Sequence, residues 1–200
     1  MALLALNGQK YLALSWRDVE SLVDKLYDAI TRSYEPNVIV GVLRGGIVVA
    51  NLLSDLFGMQ EVYAIGCRSY RDMQRSEVRI YHDLVRGELR GKNVLLVDDV
   101  SDSGNTLTTA IEHVITPRSP STVKTATLHI KPWTSYIPNF YVETTDAWII
   151  YPWERMETVR ILGRRFMRSM ASEDVVRELS KLTRVSEEVI RQVLEEISGG

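Results

Sequence analysis

The stretch Val94-Leu95-Leu96-Val97-Asp98-Asp99-Val100-Ser101-Asp102-Ser103-Gly104-Asn105-Thr106-Leu107 limits what this chain can fold into more than any other. Its four leading apolar residues show no alternation, the pattern of a strand buried on both faces, as in a parallel sheet. Two adjacent carboxylates follow, then small hydroxyl residues with one glycine, then a helical pattern over residues 106–115. In open α/β folds, ligands bind at the carboxyl edge of the parallel strands, where this sequence places its acids. If the backbone turns at that strand end, both carboxylates can face one cleft. Paired acids there suit sugar hydroxyls and a hard cation such as Mg2+. Backbone N–H groups of a glycine-containing loop before a helix suit a phosphate dianion, and the glycine permits its close approach. An acidic turn capping a helix would account for a lone Asp-Gly pair, but not for this whole arrangement.

The same order of strand, loop and helix occurs earlier in the chain. Residues 38–42 read as a buried β-branched strand, Arg44-Gly45-Gly46 break it, and residues 47–57 continue as an apolar helix. Further strands are expected at about 62–67, 123–130 and 148–151, the last closing the sheet region. This alternation implies an α/β fold with a mainly parallel, twisted sheet and helices on both faces. Asn7-Gly8 between short apolar runs predicts an N-terminal hairpin. Ser15 and Asp18 form a capping-box pattern ahead of an amphipathic helix carrying Val19, Leu22, Val23, Leu26 and Ile30. Residues 68–79 are polar and charge-dense and read as a mobile loop between strands. Beyond Pro152, residues 172–182 and 186–197 read as helices, and Arg164, Arg165 and Arg168 as a solvated face. The expected division is a main domain over 1–155 and a small helical extension over 156–200, packed on or swapped over the core.

Composition narrows the partners. Twenty-four basic against 26 acidic residues give a net charge of −2, which argues against a bulk electrostatic grip on nucleic acid or an anionic membrane. Any bound anion must be held locally, by backbone amides and a few placed cations. Cys67 is the single cysteine, so neither an intrachain disulfide nor a thiolate metal cluster is available. The apolar N-terminus is too short for a signal sequence, and no run approaches the roughly 20 residues of a membrane span. A cytoplasmic protein is expected. His82, His113 and His129 show no metal-ligand spacing and read as structural.

The 94–107 segment resembles the 5-phosphoribosyl-1-pyrophosphate (PRPP) motif of type I phosphoribosyltransferases, a likeness that extends over about residues 15–155. The resemblance implies that Asp98 and Asp99 face the ribose hydroxyls and Mg2+, while Asp102, Ser103, Gly104, Asn105 and Thr106 wrap the 5′-phosphate. It also implies that Arg44, Gly45 and Gly46 hold pyrophosphate, with Arg44 assisting its departure. Ser69-Tyr70 resemble the pair in the flexible hood loop of 6-oxopurine enzymes, which gives Tyr70 a catalytic place in excluding water. Asp102 matches the acid that meets purine N7 as general acid/base in the hypoxanthine, guanine and xanthine group. Lys131 matches the lysine that donates to their 6-oxo oxygen. Residues 148–154 resemble their base-binding segment, with Trp148 offering a stacking face, Ile149 and Glu154 lining the purine, and Trp153 in the core. The plainer alternatives are core packing for Trp148 and a surface position at a strand end for Lys131.

The implied activity is purine salvage: purine base plus PRPP gives nucleoside monophosphate plus pyrophosphate, with a 6-oxopurine favoured and a homodimer expected. Adenine on the same scaffold is the alternative. Glu154 stands where an aspartate is more usual, and the helical tail exceeds the common bacterial pattern. Two more remote readings are a nucleotide-sensing regulator, which would want a basic recognition face the tail lacks, and a non-catalytic subunit, which would not need all three acids.

Overall fold

Among the described residues, six strands make up the larger sheet of the computed structural model: β3 (Val38–Leu43), β4 (Val62–Asp72), β5 (Arg75–His82), β6 (Asn93–Ser101), β7 (Thr122–Ile130) and β8 (Phe140–Thr144). Their order across the sheet is β5-β4-β3-β6-β7-β8. All neighbours pair in parallel except β4 with β5. The structure describes residues 2–6, 8–72, 75–84 and 89–199, with the backbone alone for 2, 5, 6, 69–72 and 75–77.

Alternation along β3 and β6 sorts the core onto two faces. Val38, Val40 and Val42, with Val94 and Leu96, share one buried cluster with Leu107, Ala110 and Val114. The latter belong to α3 (Asn105–Ala110) and the single π turn that continues it, Ile111–Ile115. On the other face, Gly41 lies against α2 (Gly45–Leu56): a Cβ at residue 41 would be 2.7 Å from Ile47 Cα and 2.9 Å from Ala50 Cβ. Helices therefore cover both faces, as the unbroken apolar strands require.

The chain leaves β3 toward β4 on one side, while β6 pairs on the other. The sheet thus changes direction between β3 and β6, the crevice where open α/β sheets take ligands. The two loops singled out in the sequence rise from the carboxyl ends of these adjoining strands.

Contacts divide the chain into two compact units, Glu20–Asp146 and a second formed by Met1–Val19 with Ala147–Gly200. This differs from a boundary at 155/156, because the N-terminal ribbon and the tail are built together. In the second unit, β1 (Ala2–Leu6) pairs antiparallel with β2 (Gln9–Ala13), and β2 pairs in parallel with β9 (Trp148–Ile150). The 148–151 run therefore belongs to its own three-stranded sheet and does not close the large one. The reason is local: Tyr11, Leu12 and Ala13 take up the pairing of Trp148, Ile149 and Ile150.

Three helices complete that unit: α4 (Arg155–Phe166), α5 (Ser172–Thr183) and α6 (Glu187–Ser198). Val159, Leu162, Phe166, Val176, Leu179, Ile190 and Leu194 bury against Tyr11 and Ile150 in one cluster. Gly163 permits this packing, since a Cβ there would lie 2.6 Å from Leu194 Cδ2. Ser186 caps α6 by accepting from Val189 N. Arg164, Arg165 and Arg168 are exposed, as expected. The capping box forms as read: Ser15 N donates to Asp18 Oδ2 at 2.8 Å and Asp18 N to Ser15 Oγ at 3.2 Å, opening α1 (Trp16–Thr31).

Two further expectations are corrected. Residues 68–79 were expected as a loop, but β4 runs on to Asp72 and pairs antiparallel with β5, from Cys67↔Ile80 to Asp72↔Arg75. The polar sequence is that of two strands joined by antiparallel backbone pairing. Trp153 is half-buried, not core: it stacks on Tyr151 with centroids 4.7 Å apart and lies 5.8 Å from the Trp16 ring. Among the described residues, no helix is long and apolar enough to cross a membrane.

Candidate active site

The first loop follows β3. Arg44 occupies the N-cap position of α2 and is exposed, while Gly45 and Gly46 are buried. The Leu43–Arg44 peptide is cis. Gly46 touches β6 so closely that a Cβ would stand 2.5 Å from Val97 O and 2.9 Å from Asp98 Oδ1. A side chain there would force the two strand ends apart, so the glycine sets the distance between the two loops.

Strand β6 extends past Val97 to Ser101, pairing Asp98 with Thr127 and Val100 with His129. The acid pair thus lies within the strand and not in a turn after it. Both carboxylates are buried, Asp98 at 9% and Asp99 at 7% exposure. Asp98 Oδ1 accepts from Asp99 N at 3.0 Å, and Asp99 Oδ1 accepts from Val100 N at 2.8 Å. Among the described residues no group of three or more His, Cys, Asp or Glu side chains gathers to hold a metal. Mg2+ needs no such cage, since one or two carboxylates plus substrate oxygens commonly suffice. The donor set fits that mode. Burial pushes the nearby Cys67 thiol up to about 11, and the Asp98 charge adds to the effect, so the cysteine is a neutral thiol and no nucleophile near neutrality.

Gly104 turns the loop into α3 at φ +88°, a left-handed conformation suited to glycine. It also faces Tyr136, whose N would be 2.5 Å from a Cβ at 104. Ser103 Oγ accepts from Asn105 N at 3.3 Å, and Thr106 stands half-buried in the first turn of α3. Asp102 and Ser103 are exposed at the loop's tip.

A turn after β7 straps this loop. Lys131 N donates to Ser101 O at 3.0 Å, and Ser135 N to Ser103 O at 3.1 Å. Ser101 Oγ donates to Tyr136 O at 2.8 Å. Trp133 Nε1 donates to Asp102 Oδ1 at 2.8 Å, and the Lys131 ammonium lies 5.6 Å from the centroid of the same indole ring. Lys131 is 7% exposed, so it is not a surface lysine. Burial holds its pKa below the ordinary lysine value, with Asp102 and Asp146 pulling it back up.

The structure therefore gathers Arg44, Gly45, Gly46, Asp98, Asp99, Asp102, Ser103, Gly104, Asn105, Thr106 and Lys131 in one unit. Trp148, Ile149 and Glu154 belong to the other. There Trp148 is half-buried against the helical cluster, Ile149 is buried, and Glu154 occupies the N-cap position of α4. The side chains of Ser69 and Tyr70 lie outside the described residues. His129 is buried and His113 exposed beside Glu112 at 4.0 Å. Sequence reasoning gave no role to Trp133, Ser135 or Tyr136. The one signal available was a tryptophan two residues beyond Lys131, in a polar turn that offers it no core.

Residues 11–154 match the phosphoribosyl transferase domain family, and the chain belongs to it. Hypoxanthine phosphoribosyltransferase of Escherichia coli K12 is 32% identical over 122 residues, covering 58% of this chain and 67% of its own. Xanthine-guanine phosphoribosyltransferase of Cereibacter sphaeroides is 30% identical over 158 residues, covering 74% of this chain and 90% of its own. Among solved structures, the purine phosphoribosyltransferase of Pyrococcus horikoshii superposes with a TM-score of 0.66 at 36% identity, over 72% of this chain and 93% of that one.

Proposed function

We propose that this chain transfers the 5-phosphoribosyl group of PRPP to N9 of a 6-oxopurine, guanine or hypoxanthine in preference to adenine, and releases pyrophosphate. One observation carries the reading. The loop suited to a 5′-phosphate and the buried Lys131 are hydrogen-bonded into a single assembly, Lys131 N to Ser101 O at 3.0 Å. This bond supports the reading by tying the Lys131 backbone to the loop proposed to take the phosphate. A cation at the end of β7 suits a carbonyl oxygen and disfavours the amino group of adenine.

The Ser103–Thr106 backbone amides take the 5′-phosphate, and Asp98 and Asp99 take the ribose hydroxyls and Mg2+. The metal, when bound, supplies positive charge to the departing diphosphate. Arg44 and the Gly45–Gly46 amides bind that same diphosphate from the β3 side. Breaking the C1–O bond leaves a ribosyl group of oxocarbenium character, so the residues act by positioning and charge stabilisation. Asp102 holds or accepts the proton at purine N7 while N9 attacks. Roles for Trp148, Ile149 and Glu154 in binding the base, and for Tyr70 in excluding water, rest on the resemblance of their own sequence segments. A homodimeric, cytoplasmic enzyme belongs to the same proposal.

The test is pyrophosphate release and monophosphate formation from PRPP and Mg2+ with hypoxanthine, guanine, xanthine and adenine in turn. Turnover is expected with the first two. A strong adenine preference overturns the base assignment and leaves the reaction class; no release with any base overturns both.

A further inference from the structure

Three consecutive residues of the phosphate loop are each held by the turn after β7: Ser101 by Lys131, Asp102 by Trp133, and Ser103 by Ser135. Two of these grips are made on backbone carbonyls of the loop. The third is made on a side chain, the Asp102 carboxylate, by an indole N–H at 2.8 Å. Trp133 is 59% exposed, so burial does not account for its position. Its ring instead makes two directed contacts, through Nε1 to Asp102 and through the ring toward Lys131 Nζ, 5.6 Å from the centroid.

A carboxylate at the tip of an exposed loop rotates about two torsions. A charge-assisted hydrogen bond to one oxygen fixes where the other points. The cation near the ring is likewise drawn to one side of its range. Asp102 and Lys131, the two groups read above as meeting the purine, thus share one aromatic neighbour that itself need not touch it.

We propose that Trp133 is a positioning residue for base transfer, whose indole N–H aims the Asp102 carboxylate at the purine and whose ring steadies the Lys131 ammonium. The proposal rests on the reading of Asp102 given above. Pre-organisation of this kind acts on the reacting geometry and leaves the sugar-phosphate site unchanged.

Trp133→Phe separates the two contacts, since it keeps an aromatic ring beside Lys131 and removes the donor to Asp102. The full-length protein, Trp133→Phe, Asp102→Ala and the double variant are compared in steady-state turnover with hypoxanthine and PRPP. Trp133→Phe is expected to lower kcat roughly ten- to hundredfold, the range for losing a hydrogen bond to a charged group. The KM for PRPP and the melting temperature stay at the parental values, because the side chain is largely exposed. In the Asp102→Ala background the same change has no further effect, because the partner through which it acts is gone. Parental turnover in Trp133→Phe overturns the proposal, and so does a loss that adds undiminished to that of Asp102→Ala. Parental turnover in Asp102→Ala is a separate outcome that removes the reading of Asp102 and the inference with it.

Discussion

Gly46 and Asp98 meet with no room between them: a Cβ on residue 46 would lie 2.7 Å from Asp98 Cα and 2.9 Å from its Oδ1. Because Val97 O is nearer still, at 2.5 Å, the obstacle is mostly backbone and cannot swing aside. Gly46→Ala is therefore expected to destabilise the fold by about 1–3 kcal/mol, the usual cost of overpacking. It also separates the two loops that the proposed reading assigns to the sugar diphosphate, so on that reading PRPP binding weakens. Thermal unfolding and calorimetric titration read the two effects, and unchanged values in both would remove the spacing role of Gly46.

Asp98 and Asp99 offer a metal-dependent readout. On the proposed reading Asp98→Asn and Asp99→Asn each remove one of two anionic donors, so the magnesium concentration for half-maximal turnover should rise by roughly tenfold or more, the low end of what even an outer-shell partner costs. Asp98→Asn has a second consequence that needs no turnover. Because burial first and the Asp98 charge second raise the Cys67 thiol, removing that charge lowers its pKa from about 11 while burial keeps it above the ordinary value. The pH dependence of thiol alkylation reports this directly, and an unshifted profile would show that Asp98 does not act on Cys67.

Asp102 is exposed at the loop tip, and its neighbours Ser101 and Ser103 are pinned through backbone carbonyls that its side chain does not provide. Asp102→Ala should accordingly leave the loop in place and PRPP binding intact, while turnover falls by roughly the 10²–10⁴ of a lost general acid/base. Turnover at the parental rate would take that role away.

Lys131 is buried at the end of β7 beside Asp102 and Asp146, both of which favour its charge. Lys131→Met keeps the apolar stem and removes the ammonium. Discrimination between hypoxanthine and adenine, read as the ratio of kcat/KM values, should fall roughly ten- to hundredfold, the range of one hydrogen bond to a charged group. A ratio that stays put would mean that the 6-oxo group is read elsewhere.

The two strand–glycine turn–helix units after β3 and β6 were legible because their signals are local. An unbroken apolar run, a glycine and a change of period to a helical one identify the strand, the turn and the helix without knowledge of their neighbours. The capping box at Ser15 and Asp18 is of the same kind. What stayed hidden depends on pairing between distant segments. Trp148-Ile149-Ile150 looks like one more strand of the main sheet, and only the partner, Tyr11-Leu12-Ala13, assigns it to a second sheet. The charge-dense segments 68–72 and 75–79 look like a loop in sequence, and only their antiparallel pairing with each other identifies them as strands. Trp133 went unassigned because the hydrogen bond that gives it meaning spans thirty-one positions.

His129 supplies a pH test of the fold that does not depend on catalysis. Its side chain is fully buried on β7, and burial first, then the Lys131 charge, hold its pKa down to about 4 even though Glu143 Oε2 lies 3.8 Å away. In the unfolded chain the imidazole returns to about 6.5. Between these values the unfolded chain binds the more protons, so stability rises with pH across the window. The contribution is complete above about pH 6.5 and is lost as pH falls toward 4. A difference of about 2.5 pH units at 1.36 kcal/mol each amounts to about 3 kcal/mol. Other groups titrate in the same range, so the informative quantity is a difference between proteins. His129→Gln should show a shallower loss of unfolding free energy than the parent when urea denaturation at pH 7 is compared with pH 4.5. Equal losses in the two proteins would mean that the imidazole gains its proton without opening the sheet around it.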